Sequence, residues 1–181
     1  MILPGRSLTG KVVKAILSTK VQVQPCGIDL TLKSVSTWSS HGIIDFDNSR
    51  RIKCPTEKIS FSAQQSDLNA TSHADSVRQP QDDSVFLAPG SYLVEFNETV
   101  AVPLDLMGQL YVRSSLFRAG ALVSAGLMDS GYHGAVGGML QVVNPHGLRL
   151  YRDARLAQIV FHQMSEPVEG YQGQYQGSKA V

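Results

Sequence analysis

Cysteine is scarce: the 181 residues hold two, Cys26 and Cys54. Two thiols cannot make a disulfide framework, so the small stapled secreted scaffolds are excluded. Charge of one sign is lacking as well. Sixteen Lys and Arg stand against 15 Asp and Glu, for a formal net charge of +1. With no Lys/Arg-rich run, no bulk field draws the chain to a nucleic acid polymer or a membrane surface. No apolar run approaches the roughly 20 residues of a membrane-spanning helix. The opening MILPGRSLTGK lacks the long apolar stretch of a secretory signal. These absences lead to the expectation of a cytoplasmic protein with no membrane partner.

What is present is short, β-type and punctuated. The length suits one domain, expected over residues 1–165, with an appended arm over 166–181. One helix is predicted near the start, with Thr9 as N-cap and Val12, Val13, Ile16 and Leu17 at helical spacing. Gly27–Leu32 alternates as a strand does. Ser84–Leu87, Ser91–Asn97, Leu106–Val112, Gly120–Val123, Gly137–Val143 and Gln158–His162 are further strand candidates, separated by Gly/Pro turn signals. Many short strands of this kind predict an all-β sandwich or barrel. Ser62–Asp83 is polar and nearly free of large apolar residues, which predicts a long exposed loop insertion.

The residues that can carry chemistry concentrate between Arg113 and Gly134 (RSSLFRAGALVSAGLMDSGYHG). Arg113-Ser114-Ser115 sets a forked guanidinium beside two hydroxyls, a donor set suited to phosphate. On its own the triplet reads more readily as solvated surface. Ala119–Gly126 is a small-residue hairpin in which a ligand could meet the backbone closely, or simply a tight barrel turn. Asp129 can accept a hydrogen bond from water and aim it. Tyr132 can lay its ring against a sugar and leave no room for a 2′-hydroxyl. An Asx-type turn beside a core tyrosine explains the same residues.

Taken together, these segments resemble the dUTPase and dCTP deaminase superfamily, and most closely its archaeal-type dUTPases. The likeness runs from the N-terminus through Gly177, interrupted by Ser62–Asp83. Gly27-Ile28-Asp29-Leu30 is similar to the first motif, which makes Asp29 a residue that meets Mg²⁺ through water. Arg113-Ser114-Ser115 is similar to the second motif, which contacts phosphates. Gly126–Gly134 is similar to the third, with Asp129 as catalytic carboxylate and Gly126, Met128 and Tyr132 at the nucleoside, where the resemblance also places Arg118 and Gln141. Arg155–Phe161 is similar to the fourth, with Gln158 at the phosphates. Tyr171–Ser178 is similar to the arm that closes over bound nucleotide, through Tyr171, Tyr175 and Gln176. The resemblance implies a distorted jelly-roll-like β-barrel and a homotrimer with sites between subunits. It also implies hydrolysis of dUTP to dUMP and pyrophosphate with Mg²⁺.

The chain departs from the wider pattern at three places. Gly131 stands where many dUTPases carry a second Asp. Gly137-Gly138 resembles a small insertion, of the kind that makes a bulge. The arm lacks the Arg and Phe-Gly pattern of bacterial and animal enzymes. The other branch of the superfamily, the dCTP deaminases, is disfavoured by one atom. Their Ser and Arg positions match Ser114 and Arg118, but the position of their proton-shuttling Glu holds Gln141. An amide has no usable pKa for taking and returning a proton. No Glu lies anywhere in Gly120–Gln163, so a slip in alignment does not restore one.

Overall fold

A computed structural model describes residues 1–63 and 83–181. In chain order the elements are α1 (Gly5–Leu8), β1 (Val13–Lys14), α2 (Thr19–Gln22), β2 (Val23–Gln24), β3 (Gly27–Trp38), β4 (Thr56–Ile59) and β5 (Ser62–Ala63). They continue with β6 (Asp83–Leu87), β7 (Gly90–Ala101), β8 (Leu106–Val112), α3 (Ser114–Arg118), β9 (Ala121–Ser124), β10 (His133–Val142), β11 (Leu148–Tyr151) and β12 (Arg155–Gln163). The main sheet runs β8-β12-β3-β7-β10-β9, with β1 on β7 and with β2 and β4 on β3; β11-β6-β5 form a smaller sheet. Every named pairing is antiparallel. The two ends of the main sheet approach each other where Gly108 of β8 bridges Met128, just beyond β9. The sheet thus nearly closes into a barrel, which leaves few unpaired edges.

The core follows from alternation. In β3 the side chains of Ile28, Leu30 and Leu32 point one way and are fully buried. The intervening Asp29 and Thr31 are buried too, so this strand has two covered faces. Their face is covered by polar groups. Glu98, also fully buried, accepts hydrogen bonds from the Thr31 amide (2.8 Å) and hydroxyl (2.6 Å), and from Gln22. Phe96, Phe161, Leu140, Leu156 and Ile159 complete the apolar side. Each such side chain contributes about 1.5–3 kcal/mol on burial.

The expected N-terminal helix over Thr9–Leu17 is a correction: the helices flank that stretch. Gly10 (φ 72°) and Ala15 (φ 57°) take left-handed conformations that break a helix. Between them Val13 and Lys14 pair with Val100 and Thr99 of β7, where β-branched valine packs well. The bulge expected at Gly137-Gly138 corresponds to a register shift between Ala135 and Gly137 in the β10–β7 ladder. Of the Ser62–Asp83 loop, all but its ends lies outside the described residues. Those ends pair with each other and with Ser84 as β5 and β6. Among the described residues no helix is long and apolar enough to cross a membrane.

Candidate active site

Leaving β9, the chain makes the Gly108–Met128 bridge and then a turn, in which the Tyr132 amide donates to the Asp129 carbonyl at 3.1 Å. Ser130 is buried and anchors the turn through Oγ to the Leu106 carbonyl (2.6 Å). This leaves the Asp129 side chain exposed, with no hydrogen bond among the described residues. It lines a cleft of about 490 Å³ together with Gly126, Met128, Tyr132, Tyr171 and Tyr175. Six of the expected site residues therefore share one space. Burial, and then the neighbouring Tyr171, push the Tyr132 hydroxyl above its ordinary pKa. It stays protonated and donates to the Ala135 carbonyl at 2.7 Å.

The arm lies across this turn within the same chain. The Tyr171 amide donates to the Ser130 carbonyl (2.8 Å) and the Gly177 amide to the His133 carbonyl (2.9 Å). Ala135 donates to the Ser178 carbonyl (2.8 Å). Gln176 clamps both ends of the turn: its amide nitrogen donates to the Gly131 carbonyl (2.9 Å) and its oxygen accepts from the His133 amide (3.1 Å). The Tyr171 ring stands edge-on to Tyr132 at 5.6 Å. Gly131 has φ 80°, and a Cβ there would sit 2.6 Å from the Gly170 Cα. The absence of a side chain at 131 is thus what lets the arm dock.

A second cluster forms at the other end of β8. Asp29, nearly inaccessible, is bracketed by the guanidinium groups of Arg113 (3.0 Å) and Arg155 (3.1 Å). Burial pushes the Asp29 carboxyl up, against the opposing pull of Arg113 and then Arg155. Gln158 pairs across the sheet with both Asp29 and Tyr111. Ser114 and Ser115 open α3 on the surface. None of these residues lines the Asp129 cleft. Antiparallel pairing sets Asp129 opposite Met107, six residues from Arg113 along β8, or about 20 Å at about 3.3 Å per residue. One chain therefore presents two separate polar clusters.

Two other expected residues lie apart from the cleft. Arg118 ends α3 on the surface over the Phe117 ring. Gln141 sits toward the far end of β10, paired with Ser91 and Leu122. The expected Ala119–Gly126 hairpin is corrected: Gly120 (φ 79°) terminates α3, and β9 pairs with β10. β9 ends the sheet path, so its outer main-chain groups are available to a ligand. At Gly126 a Cβ would meet nothing within 4 Å.

Among the described residues no three His, Cys, Asp or Glu are grouped to hold a metal. The donors among the described residues do not form a cage. They fit a Mg²⁺ that keeps its waters and travels on a ligand's phosphates. Sequence reasoning missed Arg155 as a partner of Asp29. It also missed Arg51 and Lys53, which line the Asp129 cleft. The only signal for the latter pair was the short basic stretch Arg50-Arg51-Ile52-Lys53.

The structure is thus a nearly closed antiparallel barrel with a carboxylate and edge-on tyrosines in one cleft and two arginines around a buried carboxylate at the other end of β8. More narrowly, the chain belongs to the dCTP deaminase-like family, whose model matches residues 5–164. It is 36% identical over 161 residues to a probable deoxyuridine 5′-triphosphate nucleotidohydrolase of Methanosarcina mazei, covering 88% of this chain and 84% of the relative. It is 33% identical over 156 residues to the deoxyuridine 5′-triphosphate nucleotidohydrolase of Methanocaldococcus jannaschii, covering 86% and 88%. The fold is shared with the crystal structure of 2′-deoxycytidine 5′-triphosphate deaminase from Agrobacterium tumefaciens (TM-score 0.61, 21% identity). That match covers 91% of this chain, which spans 48% of the deaminase chain.

Proposed function

We propose that this protein hydrolyses dUTP to dUMP and pyrophosphate, with Asp129 orienting the water that attacks the α-phosphorus. The observation that carries the reading is the cleft in which the Asp129 carboxylate, without a hydrogen-bond partner among the described residues, shares the lining with Tyr132 and the arm tyrosines. An ionised carboxylate can hold and aim a water without itself bonding to phosphorus. Tyr132, its hydroxyl tied to the Ala135 carbonyl, presents a fixed ring against deoxyribose and excludes a 2′-hydroxyl. Main-chain groups of β9 and the open backbone at Gly126 read uracil. The curated relatives quoted above support this substrate.

Arg113, Ser114, Ser115 and Gln158 take the phosphate oxygens as negative charge grows there; losing one such donor costs about 10²–10³ in rate. Because that cluster lies about 20 Å from Asp129 along β8, a complete site needs the Asp129 cleft of one copy and the arginine cluster of another. A homotrimer with sites between subunits satisfies this requirement. Asp29 holds Arg113 and Arg155 in place, and its carboxylate is the group through which this cluster would meet the waters of a phosphate-borne Mg²⁺. That ion would supply charge neutralisation at the phosphates. Residues 166–181 act as the arm that shields the site from bulk water.

Gln141 is the observation against deamination: it offers an amide where that chemistry requires a carboxylate. The test is product analysis with dUTP, dCTP, dTTP and UTP. The expected result is dUMP and pyrophosphate from dUTP, with weak turnover of the other three. Ammonia release and a uracil product from dCTP at a comparable rate would replace this reading with deamination.

A further inference from the structure

The connection between β3 and β4, residues 39–55, is long against the usual loop of about 4–6 residues. It is also built. Ile43 and Ile52 exchange main-chain hydrogen bonds of 3.2 and 3.1 Å, and the Ser39 amide donates to the Pro55 carbonyl. At its tip the Asp45 carboxylate accepts from the Arg50 amide (2.6 Å) and the Ser49 hydroxyl (3.3 Å). Asp47 accepts from the Ser49 amide (3.0 Å), and Asn48 takes the left-handed turn (φ 64°). The return limb carries Arg51 and Lys53, two residues apart and so on one face of extended backbone.

Both side chains line the Asp129 cleft, and they are the cations among its lining residues. Neither pairs with a carboxylate among the described residues. Arg51 is nonetheless held: its guanidinium lies 5.2 Å from the Tyr175 ring centroid and donates to the Tyr175 hydroxyl. A third contact, 3.4 Å to Asn48 Oδ1, leaves most of its five N–H donors without a partner among the described residues. The arm itself, 166–181, contains no Arg. A catalytic carboxylate in the same cleft repels a phosphate tail unless cations offset it.

We propose that Arg51, with Lys53 beside it, grips the phosphate tail of the nucleotide on the Asp129 side of the site, and that Tyr175 is the positioning residue holding Arg51 there. The arm thereby recruits a guanidinium from the β3–β4 loop. This inference rests on the nucleotide reading above and adds a ligand to it.

The test is calorimetric binding of dUMP and of an α,β-imido analogue of dUTP to the wild type and to Arg51→Ala, Arg51→Lys, Tyr175→Phe and Arg50→Ala. A charge-assisted contact to the tail predicts that Arg51→Ala weakens the analogue about tenfold or more and dUMP less than about threefold. Arg51→Lys recovers part of the loss. Tyr175→Phe, which keeps the ring but not the hydroxyl, weakens the analogue alone. Arg50→Ala, one residue outside the cleft lining, matches the wild type. Equal weakening of dUMP and analogue by Arg51→Ala, or none, overturns the tail contact. An unchanged Tyr175→Phe overturns the positioning role. Wild-type protein that binds the analogue but leaves dUTP intact refutes hydrolysis without touching this contact, and failure to bind the analogue refutes both.

Discussion

Replacing Gly131 with Ala should release the arm without unfolding the barrel. The residue adopts φ 80°, and its new Cβ would lie 2.6 Å from the Gly170 Cα and 3.0 Å from the Tyr171 nitrogen. Both contacts are backbone, so no flexible side chain can yield. Left-handed backbone costs a residue with a Cβ about 1–2 kcal/mol. Pushing Gly170 away also breaks the Tyr171–Ser130 hydrogen bond, worth about 1 kcal/mol. The strain stays with the turn whether or not the arm is docked, so about 1 kcal/mol counts against docking and shifts its equilibrium by about fivefold. Hydrogen exchange of the Tyr171 and Gly177 amides reads this directly, because both donate across the arm–turn contact. Their protection should fall by that factor while the Ile159 and Leu30 amides in the sheet stay protected. Gly126→Ala, where a Cβ meets nothing, should leave arm protection unchanged. Unaltered protection at Tyr171 in Gly131→Ala would refute the claim that a bare backbone at 131 is what seats the arm.

Three further outcomes follow from the same geometry. Gly126→Ala should lower kcat/KM for dUTP with no change in Tm, since only a bound base can meet the added methyl; a drop in Tm would make Gly126 structural. Tyr132→Ala should erode discrimination between dUTP and UTP, measured as the ratio of their kcat/KM values; a preserved ratio would remove the ring from sugar selection. Asp29 has a folded pKa raised above 3.8 by burial. The folded protein thus binds its proton more tightly than the unfolded chain, and its contribution to stability is lost as pH rises through the folded pKa. Urea unfolding over that range should therefore show a flatter pH dependence in Asp29→Asn, and an identical slope would contradict the assignment.

How much of this was legible in the sequence depends on where the signal is local. Leu106–Val112 matches β8, and Gln158–His162 lies inside β12, because β formers run there between clear turn residues. Thr56–Ile59 was invisible as a strand: it is a largely exposed edge on β3 with no apolar alternation. The N-terminal valines were misread as helical because spacing alone cannot show that Val13 has a partner in Val100. In the site, Asp129, Met128 and Tyr132 belong to one turn and were readable together. Arg51 was not, since it reaches the cleft through the Ile43–Ile52 loop and is secured by a tyrosine far along the chain. The distance between Asp129 and Arg113 was equally hidden, because closeness in sequence gives no hint that β8 runs away from the turn.

The central claim is that a water aimed by Asp129 attacks the α-phosphorus of dUTP. Hydrolysis in water labelled with heavy oxygen, followed by mass analysis of both products, tests it most directly. The label should enter dUMP and be absent from pyrophosphate, and Asp129→Asn should bind the imido analogue normally while losing about 10²–10⁴ of the rate. Label in the pyrophosphate, or an Asp129→Asn variant of undiminished rate, would contradict the account.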